Sequence, residues 1–485
     1  MSLIYRARKN IFFKFISEVL IRSLAFLFVI VVARYLGDRD YGRYSLAYFF
    51  AALLTIFSDF GLNTVLIRDV SRGHRLVERY AGNILSLKII LSLALLILGP
   101  MSLYLLGYSR DLILMVFLSQ IYFQGIYLLD FLVAITNSLE KMEYEFLIKS
   151  LYKVLVVAIP LFFLWLGYGL WGLLLALIGA YGISCFLAWA IIGKKLTPLR
   201  LHYEMDLWHQ LLRSALPIGI SGLFMAVYVK IDMVMLSLFG VSAAEIGWYS
   251  IPVKIIEMFS LLPLLIMAGL FPIFSVLTSE DREALKRNYQ RALIYLTVVS
   301  IPIVLSTIVL SDSWLVLFFG PTFANSVPSL KILIWVIPFI FINYVLINTL
   351  IALNQEKMIT WGSGLAVLFN ISINILVLPR YGYLGASWTT VVSEIFLSIC
   401  YCWLLQRSFS RLPLMRMGLS LGLSGGLMAL SLWGLKIFCP AVAWPMAFIS
   451  YGLGLIIFRV VNREDWRLFK RLLTHPLAKL EQETR

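Results

Sequence analysis

NILSLKIILSLALLILGPMSLYLL, residues 83–106, carries a single charge, Lys88. A helix rises about 1.5 Å per residue, so about 20 apolar residues cross a hydrocarbon core about 30 Å thick. Backbone groups in lipid must bond within their own segment, which leaves helix as the only form for a lone run of this length. Similar runs fill the chain, near 11–33, 44–67, 111–136, 147–166, 170–192, 211–239, 246–276, 290–310, 328–352, 359–378, 384–405, 413–437 and 442–459. The sequence thus predicts an all-α polytopic membrane protein of about fourteen transmembrane helices. Pro252, Pro263 and Pro272 predict a kink in the run at 246–276, and Gly167 and Gly169 mark a very short turn between two others.

Of the 485 residues, 61% are hydrophobic, above the usual share of about 45–50% for a soluble domain. The mean hydropathy is +0.90. The formal charge of +15 does not point to nucleic acid, because no basic block with interleaved aromatics occurs. Lys and Arg instead gather in alternate loops: Arg68, Arg72, Arg75 and Arg79; Lys194, Lys195 and Arg200; Arg282, Lys286 and Arg287; Arg407 and Arg411; and the tail after Arg459. By the positive-inside rule this alternation predicts an even number of spans with both termini cytoplasmic. Arg6, Arg8 and Lys9 precede the first run as in a signal peptide, but that run is long and charged, so it reads as a retained membrane helix. Cys185, Cys400, Cys402 and Cys439 all fall in apolar runs and have no metal-ligand spacing.

A weak internal repeat runs through the chain. The stretch 37–44 after the first run matches Gly240 to Tyr249 after the seventh; Glu-Lys-Met recurs at 140–142 and 356–358; Gly169-x-x-Gly172 recurs as Gly382-x-x-Gly385. Three matches in one order predict two six-helix halves, 1–205 and 206–408, in parallel tandem, with two more helices and a basic tail at 409–485. Transporters with repeated halves commonly bind substrate where the halves meet, near the midplane.

A charge at the bilayer centre costs about 2.5–3.5 kcal/mol on insertion scales, so ionisable residues inside spans are functional suspects. Lys14, Glu18 and Arg22 fall at i, i+4 and i+8 on one helical face. Asp59 sits in the second run, Lys230 and Asp232 in the seventh, and Lys254 and Glu257 in the eighth. Each has a plainer reading beside the functional one. Lys14 and Glu18 fit a snorkelling surface pair, Asp59 a solvated interface residue, Lys254 and Glu257 a local helix pair, and Asp232 a counter-charge for Lys230 or Lys254. Arg22 and Lys230, the deeper pair, favour a water-filled cavity. No nucleotide-binding loop occurs, and His74, His202, His209 and His475 lie in loops or the tail, with no metal spacing. The reading is a carrier with no catalytic residues, no metal and no cofactor.

Three stretches near the start carry a family resemblance: Ala-Arg-Tyr-Leu-Gly-Asp-Arg-Asp-Tyr-Gly-Arg-Tyr-Ser-Leu-Ala (33–47), Asp59-Phe-Gly-Leu62 and Leu66-Ile-Arg-Asp69. Phe319-Gly-Pro-Thr-Phe323 and Leu378-Pro-Arg-Tyr-Gly-Tyr-Leu-Gly-Ala386 continue it in the second half. Over nearly its whole length the chain resembles the Wzx-type polysaccharide-biosynthesis flippases of the MOP superfamily. The resemblance implies a V-shaped pair of six-helix bundles whose first, second, seventh and eighth helices line a cationic cavity. It implies as cargo an oligosaccharide on a polyprenyl diphosphate, moved from the cytoplasmic to the outer leaflet of the cell membrane by alternating access. On that reading Arg22, Lys230, Lys254 and Lys14 bind the diphosphate, while Glu18, Asp59, Asp232 and Glu257 serve ion coupling or charge balance. The implied partners are the lipid-linked glycan, the bilayer, a coupled proton or sodium ion and other polysaccharide-assembly proteins, with no nucleic acid. A multidrug or cation antiporter of the same superfamily is one rival. A membrane-embedded glycan polymerase or ligase is the other, but it needs a large outer loop, and the longest here, near 311–327, is short.

Overall fold

The computed structural model describes the backbone of residues 3–73, 76–267, 270, 282–408, 414–438, 440–458 and 460, and side chains over 19–73, 76–267, 270, 283, 285–406, 419–434, 445–458 and 460. The described residues form helices and connections without strands. The helices are α1 Leu3–Leu54, α2 Leu62–Val70, α3 Val77–Leu105, α4 Arg110–Ser138, α5 Met142–Trp165, α6 Gly169–Lys195, α7 Met205–Leu238 and α8 Ala243–Phe259. They continue as α9 Arg282–Phe319, α10 Ser326–Leu333, α11 Val336–Ala352, α12 Glu356–Ser408, α13 Leu414–Phe438 and α14 Pro440–Ile457. Among the described residues, ten helical stretches are long and apolar enough to cross a membrane, and two shorter apolar helices follow at Leu419–Gly434 and Pro445–Ile457. The chain is a multi-pass membrane protein.

Breaks in these helices have local causes. Gly37 (φ 73°) interrupts α1 and Gly382 (φ 51°) interrupts α12, each in a backbone region that costs an L side chain about 1–2 kcal/mol. Gly167 (φ 87°) and Gly169 (φ 58°) make the expected tight turn between α5 and α6. Prolines act one turn upstream, where their ring conflicts with a carbonyl and their missing N–H removes a bond. Thus α8 ends at Phe259, four residues before Pro263, and helix resumes at 261–267. The expected kink is present there, while Pro272 lies outside the described residues. In the same way the run at 328–352 divides into α10 and α11 before Pro338.

Two expectations need correction. The run at 44–67 is not one continuous helix: α1 ends at Leu54, a 3-10 turn covers Thr55–Ser58, and Gly61 (φ 89°) leads into the short α2. The loop near 311–327 is largely helical, because α9 continues to Phe319 and α10 starts at Ser326.

The chain forms two compact units. The first comprises Met1–Leu265, Asp312–Val336 and Glu356–Leu397. Within it the nine-residue α2 is too short to span; it buries Leu62, Val65, Leu66 and Val70 against Ile84, Leu132, Ile135 and Leu211. Elsewhere α1 lies so close to α8 that a Cβ on Gly42 would collide with the carbonyl oxygen of Ala243, and one on Gly247 with that of Asp38. Ser45 Oγ donates to Ser250 Oγ at 3.2 Å in the same seam, and Trp248 Nε1 donates to Asp38 Oδ2 at 3.0 Å. Close backbone approach of this kind is how helices associate in lipid, where apolar side chains gain little from leaving an equally apolar solvent. On the loop side Arg79 donates from Nε to both carboxylate oxygens of Glu204 at 2.9 and 3.0 Å, and its guanidinium holds that carboxyl below its ordinary range.

The second unit comprises Ile266–Ser311, Ile337–Gln355 and Ser398–Arg485. Here α13 and α14 pack through Leu421, Met428, Leu432, Ala447 and Tyr451 onto Ile301 and Leu305 of α9. Tyr451 secures the contact by donating to the Val298 carbonyl at 2.7 Å.

Candidate functional site

A cavity of about 280 Å³ lies inside the first unit between α1, α4, α5, α6 and α8. Its charged lining is Arg22, Lys153, Lys254 and Glu257, and its polar walls are Tyr41, Tyr44, Tyr48, Tyr122 and Tyr181. Three cations therefore face one carboxylate in a space bounded by rings and aliphatic groups. Lys254 Nζ pairs with Glu257 Oε2 at 2.8 Å and sits over the rings of Tyr48 (4.9 Å) and Phe49 (5.4 Å). Arg22 Nη1 donates to the Glu257 main-chain carbonyl at 3.4 Å, tying the first helix to α8. Lys254 and Glu257 thus form the local pair that their spacing allowed, and also line the cavity with Arg22.

Other expected residues lie differently. Lys230 is half-buried on α7, within electrostatic reach of Lys254 and Glu257, but is not among the residues lining the cavity. The side chains of Lys14 and Glu18 lie outside the described residues. Asp59 occupies the break after α1. There it accepts from Lys88 Nζ at 2.6 Å and from the backbone N–H groups of Gly61 and Asn63 at 3.3 Å each. Those bonds satisfy the orphan N–H groups at the start of α2 and pair an otherwise buried lysine. Lys88 is thus an internal ion-pair partner.

Asp232 forms a second polar pocket, also in the first unit. Its side chain is buried and accepts from Asn374 Nδ2 at 2.6 Å, Thr390 Oγ1 at 2.8 Å and the Tyr249 hydroxyl at 3.0 Å. No ion pair reaches Asp232 among the described residues, so it does not serve as counter-charge to Lys230 or Lys254. The Asn374 side-chain oxygen beside it is buried without a hydrogen-bond partner. Nearby, Asn370 Nδ2 donates to Ser393 Oγ at 3.3 Å and Glu394 accepts from the Tyr228 hydroxyl at 2.7 Å. Lys153, Asn374 and Thr390 were not singled out as site residues from the sequence. Lys153 carries a readable signal, a charge within an apolar run, and Asn374 reads as an interhelical hydrogen-bonding residue, which its bond to Asp232 makes it.

The described residues thus place an internal charged site within a multi-pass membrane protein. The chain belongs to the polysaccharide biosynthesis protein family, whose model matches residues 7–278, and a MatE model matches residues 217–376. It is thereby a member of the MOP superfamily. Among its relatives is the capsular polysaccharide biosynthesis protein CapF of Staphylococcus aureus, 24% identical over 411 residues that cover 83% of this chain and 100% of the relative. A Shigella flexneri protein assigned as an O-antigen transporter is 22% identical over 426 residues, covering 84% of this chain and 99% of its own. The fold is similar to that of the lipid II flippase MurJ in its inward closed conformation. That likeness has a TM-score of 0.75 at 17% identity, over 93% of this chain and 99% of that one.

Proposed function

We propose that this protein flips a polyprenyl-diphosphate-linked oligosaccharide repeat unit from the cytoplasmic to the outer leaflet of the cell membrane, for assembly of a surface polysaccharide. The observation that carries the reading is the sign of the cavity: Arg22, Lys153 and Lys254 against the single carboxylate of Glu257. A diphosphate cannot cross hydrocarbon unaided, and cations in a site screened from bulk water offer it charge-assisted hydrogen bonds. Arginine adds a planar fork suited to phosphate. The named relatives in capsule and O-antigen biosynthesis support a glycan as the rest of the cargo. At about 280 Å³ the cavity is below the span of about 300–1,000 Å³ usual for drug-sized ligands, so it accommodates a headgroup and must widen for the sugars. A cation antiporter would favour the opposite sign, and a polymerase or ligase would need a catalytic constellation.

Neutralising Arg22 and Lys254 together with glutamine should lower transport at least ten- to a hundredfold while leaving expression intact, since each charge-assisted contact is worth about 1.5–3 kcal/mol. The readout is accumulation of the lipid-linked repeat unit on the cytoplasmic leaflet. Full transport by a well-expressed double variant would remove the cavity from the mechanism.

Asp232 is the proposed site of a coupled cation, a proton or sodium. A buried carboxylate surrounded by neutral donors, with an unbonded amide oxygen beside it, lacks the positive charge that usually accompanies such a group. We also propose two halves, 1–205 and 206–408, followed by 409–485, with both termini cytoplasmic. Left-handed backbone at Gly37 and Gly240, at Glu140 and Asn354, and at Gly169 and Gly382 supports the repeat, because each pair belongs to matching connections. Reporter fusions after Gly240 and after Arg485 should report opposite sides of the membrane. Fusions reporting the same side would refute this topology.

A further inference from the structure

Of the three cations that line the cavity, the protein answers two. Lys254 has Glu257 and two aromatic rings, and Arg22 has the Glu257 carbonyl. On neighbouring helices Lys88 has Asp59 at 2.6 Å and Lys149 has Glu145 at 2.6 Å. Lys153 lines the same cavity from α5 and makes no hydrogen bond, ion pair or ring contact among the described residues. It stands in the 24-residue helix Met142–Trp165, within the apolar run 147–166, where a charge is costly to hold. Val156 and Val157, one turn on, line the cavity beside it. Tyr181, also in the lining, stacks on Tyr122 at 6.0 Å and on Tyr152, the residue before Lys153, at 6.3 Å. A half-buried lysine within a span and without a protein partner is unfavourable for the fold alone, and its placement is explained by a partner that arrives with the cargo.

We propose that Lys153 is an oxyanion-binding residue of the transport site, which holds a phosphate or carboxylate of the cargo through its ammonium group. The proposal rests on the reading of this protein as a carrier of an anionic lipid-linked glycan. It adds that α5 contributes a contact of its own, beyond the helices α1 and α8 that carry the other two cations. Because Lys254 and Arg22 are engaged with Glu257, Lys153 is the contact whose strength changes most between the empty and the loaded cavity.

The test uses the full chain in lipid nanodiscs with two ligands: polyprenyl diphosphate bearing no sugar, and a polyprenyl-diphosphate-linked oligosaccharide containing a uronate. Lys153→Gln should weaken binding of at least one of them roughly ten- to a hundredfold, and Lys153→Arg should restore most of it. Equal weakening of both assigns the diphosphate as the anion, whereas weakening of the second alone assigns the sugar carboxylate. Thermal unfolding separates a binding role from a structural one. Lys153→Met should match or exceed the wild-type midpoint while losing affinity, because methionine removes an unpaired buried charge at similar volume. Unchanged affinity in Lys153→Gln beside a wild type that binds would overturn this inference and leave the carrier reading intact. A fall in midpoint for Lys153→Met that Lys153→Arg repairs, with affinity unmoved, would likewise overturn it. A wild type that binds neither ligand would overturn both.

Discussion

The cavity and the Asp232 pocket lie in one compact unit and are opposite in sign and in manner of compensation. In the cavity, cations outnumber carboxylates and the aromatic walls help to hold them: Lys254 rests 4.9 Å from the centre of the Tyr48 ring. In the pocket one carboxylate is held by an amide and two hydroxyls, with no cation among the described residues. A soluble protein can leave such imbalances to bulk water, whereas hydrocarbon lends none, so within a span they call for a partner, a cavity or a ligand. The contrast teaches that this chain keeps two unfinished electrostatic sites, one suited to an anion and one to a cation. A third region shows the finished alternative. Asp59 and Lys88 answer one another at 2.6 Å, and two backbone N–H groups complete the carboxylate.

The sharpest way to break the comparison is Asp232→Asn. The amide keeps the size and can still accept from Thr390 or Tyr249, so the fold should survive while the charge is gone. In proteoliposomes, stimulation of transport by an imposed sodium or proton gradient should vanish altogether, with cargo affinity within about threefold of wild type, well under one decade in binding. Persistence of the full gradient effect would place coupling elsewhere, and loss of cargo affinity would make the two sites one.

A smaller but still large effect separates finished from unfinished charges. Lys88→Met leaves the Asp59 carboxylate without its cation in a largely buried setting, a change that costs about 3–5 kcal/mol for a buried pair. The lower end applies here, because Gly61 and Asn63 still donate to Asp59. Thermal or denaturant unfolding should therefore report a clear loss for Lys88→Met. If that substitution proved neutral, burial and pairing would not distinguish the lysines of this protein.

Much of this architecture was legible in the sequence, and the failures have a common cause. Apolar runs marked the spans because lipid imposes length and composition directly, and glycine marked the turn at Gly167 and Gly169 because it enters the left-handed region freely. The break at Thr55–Gly61 went unread because 44–67 stays apolar across it; the interruption shows only in the bonds that Asp59 makes to Lys88 and to the backbone. Likewise α9 runs well beyond 290–310, since the polar residues from Arg282 to Arg291 continue a helix that hydropathy alone ends at the membrane surface. Of the site, Arg22, Lys254 and Glu257 announced themselves as charges within apolar runs. The partners of Asp232 did not, for Asn374 and Thr390 are ordinary polar residues brought in from 142 and 158 positions away.

The seam between α1 and α8 has one more consequence. Ser45 meets Ser250 across 205 residues, and Gly42 and Gly247, which lie in the same close approach, have the same separation. Under the repeat proposed above these positions are counterparts, and a position that touches its own counterpart is the mark of an isologous contact, the kind a twofold homodimer makes with itself. The chain thus carries within one polypeptide a junction with the self-complementary form of a subunit interface. Its smallest residues fall where the two copies come face to face, because a bulkier side chain on either copy would strike the backbone of the other.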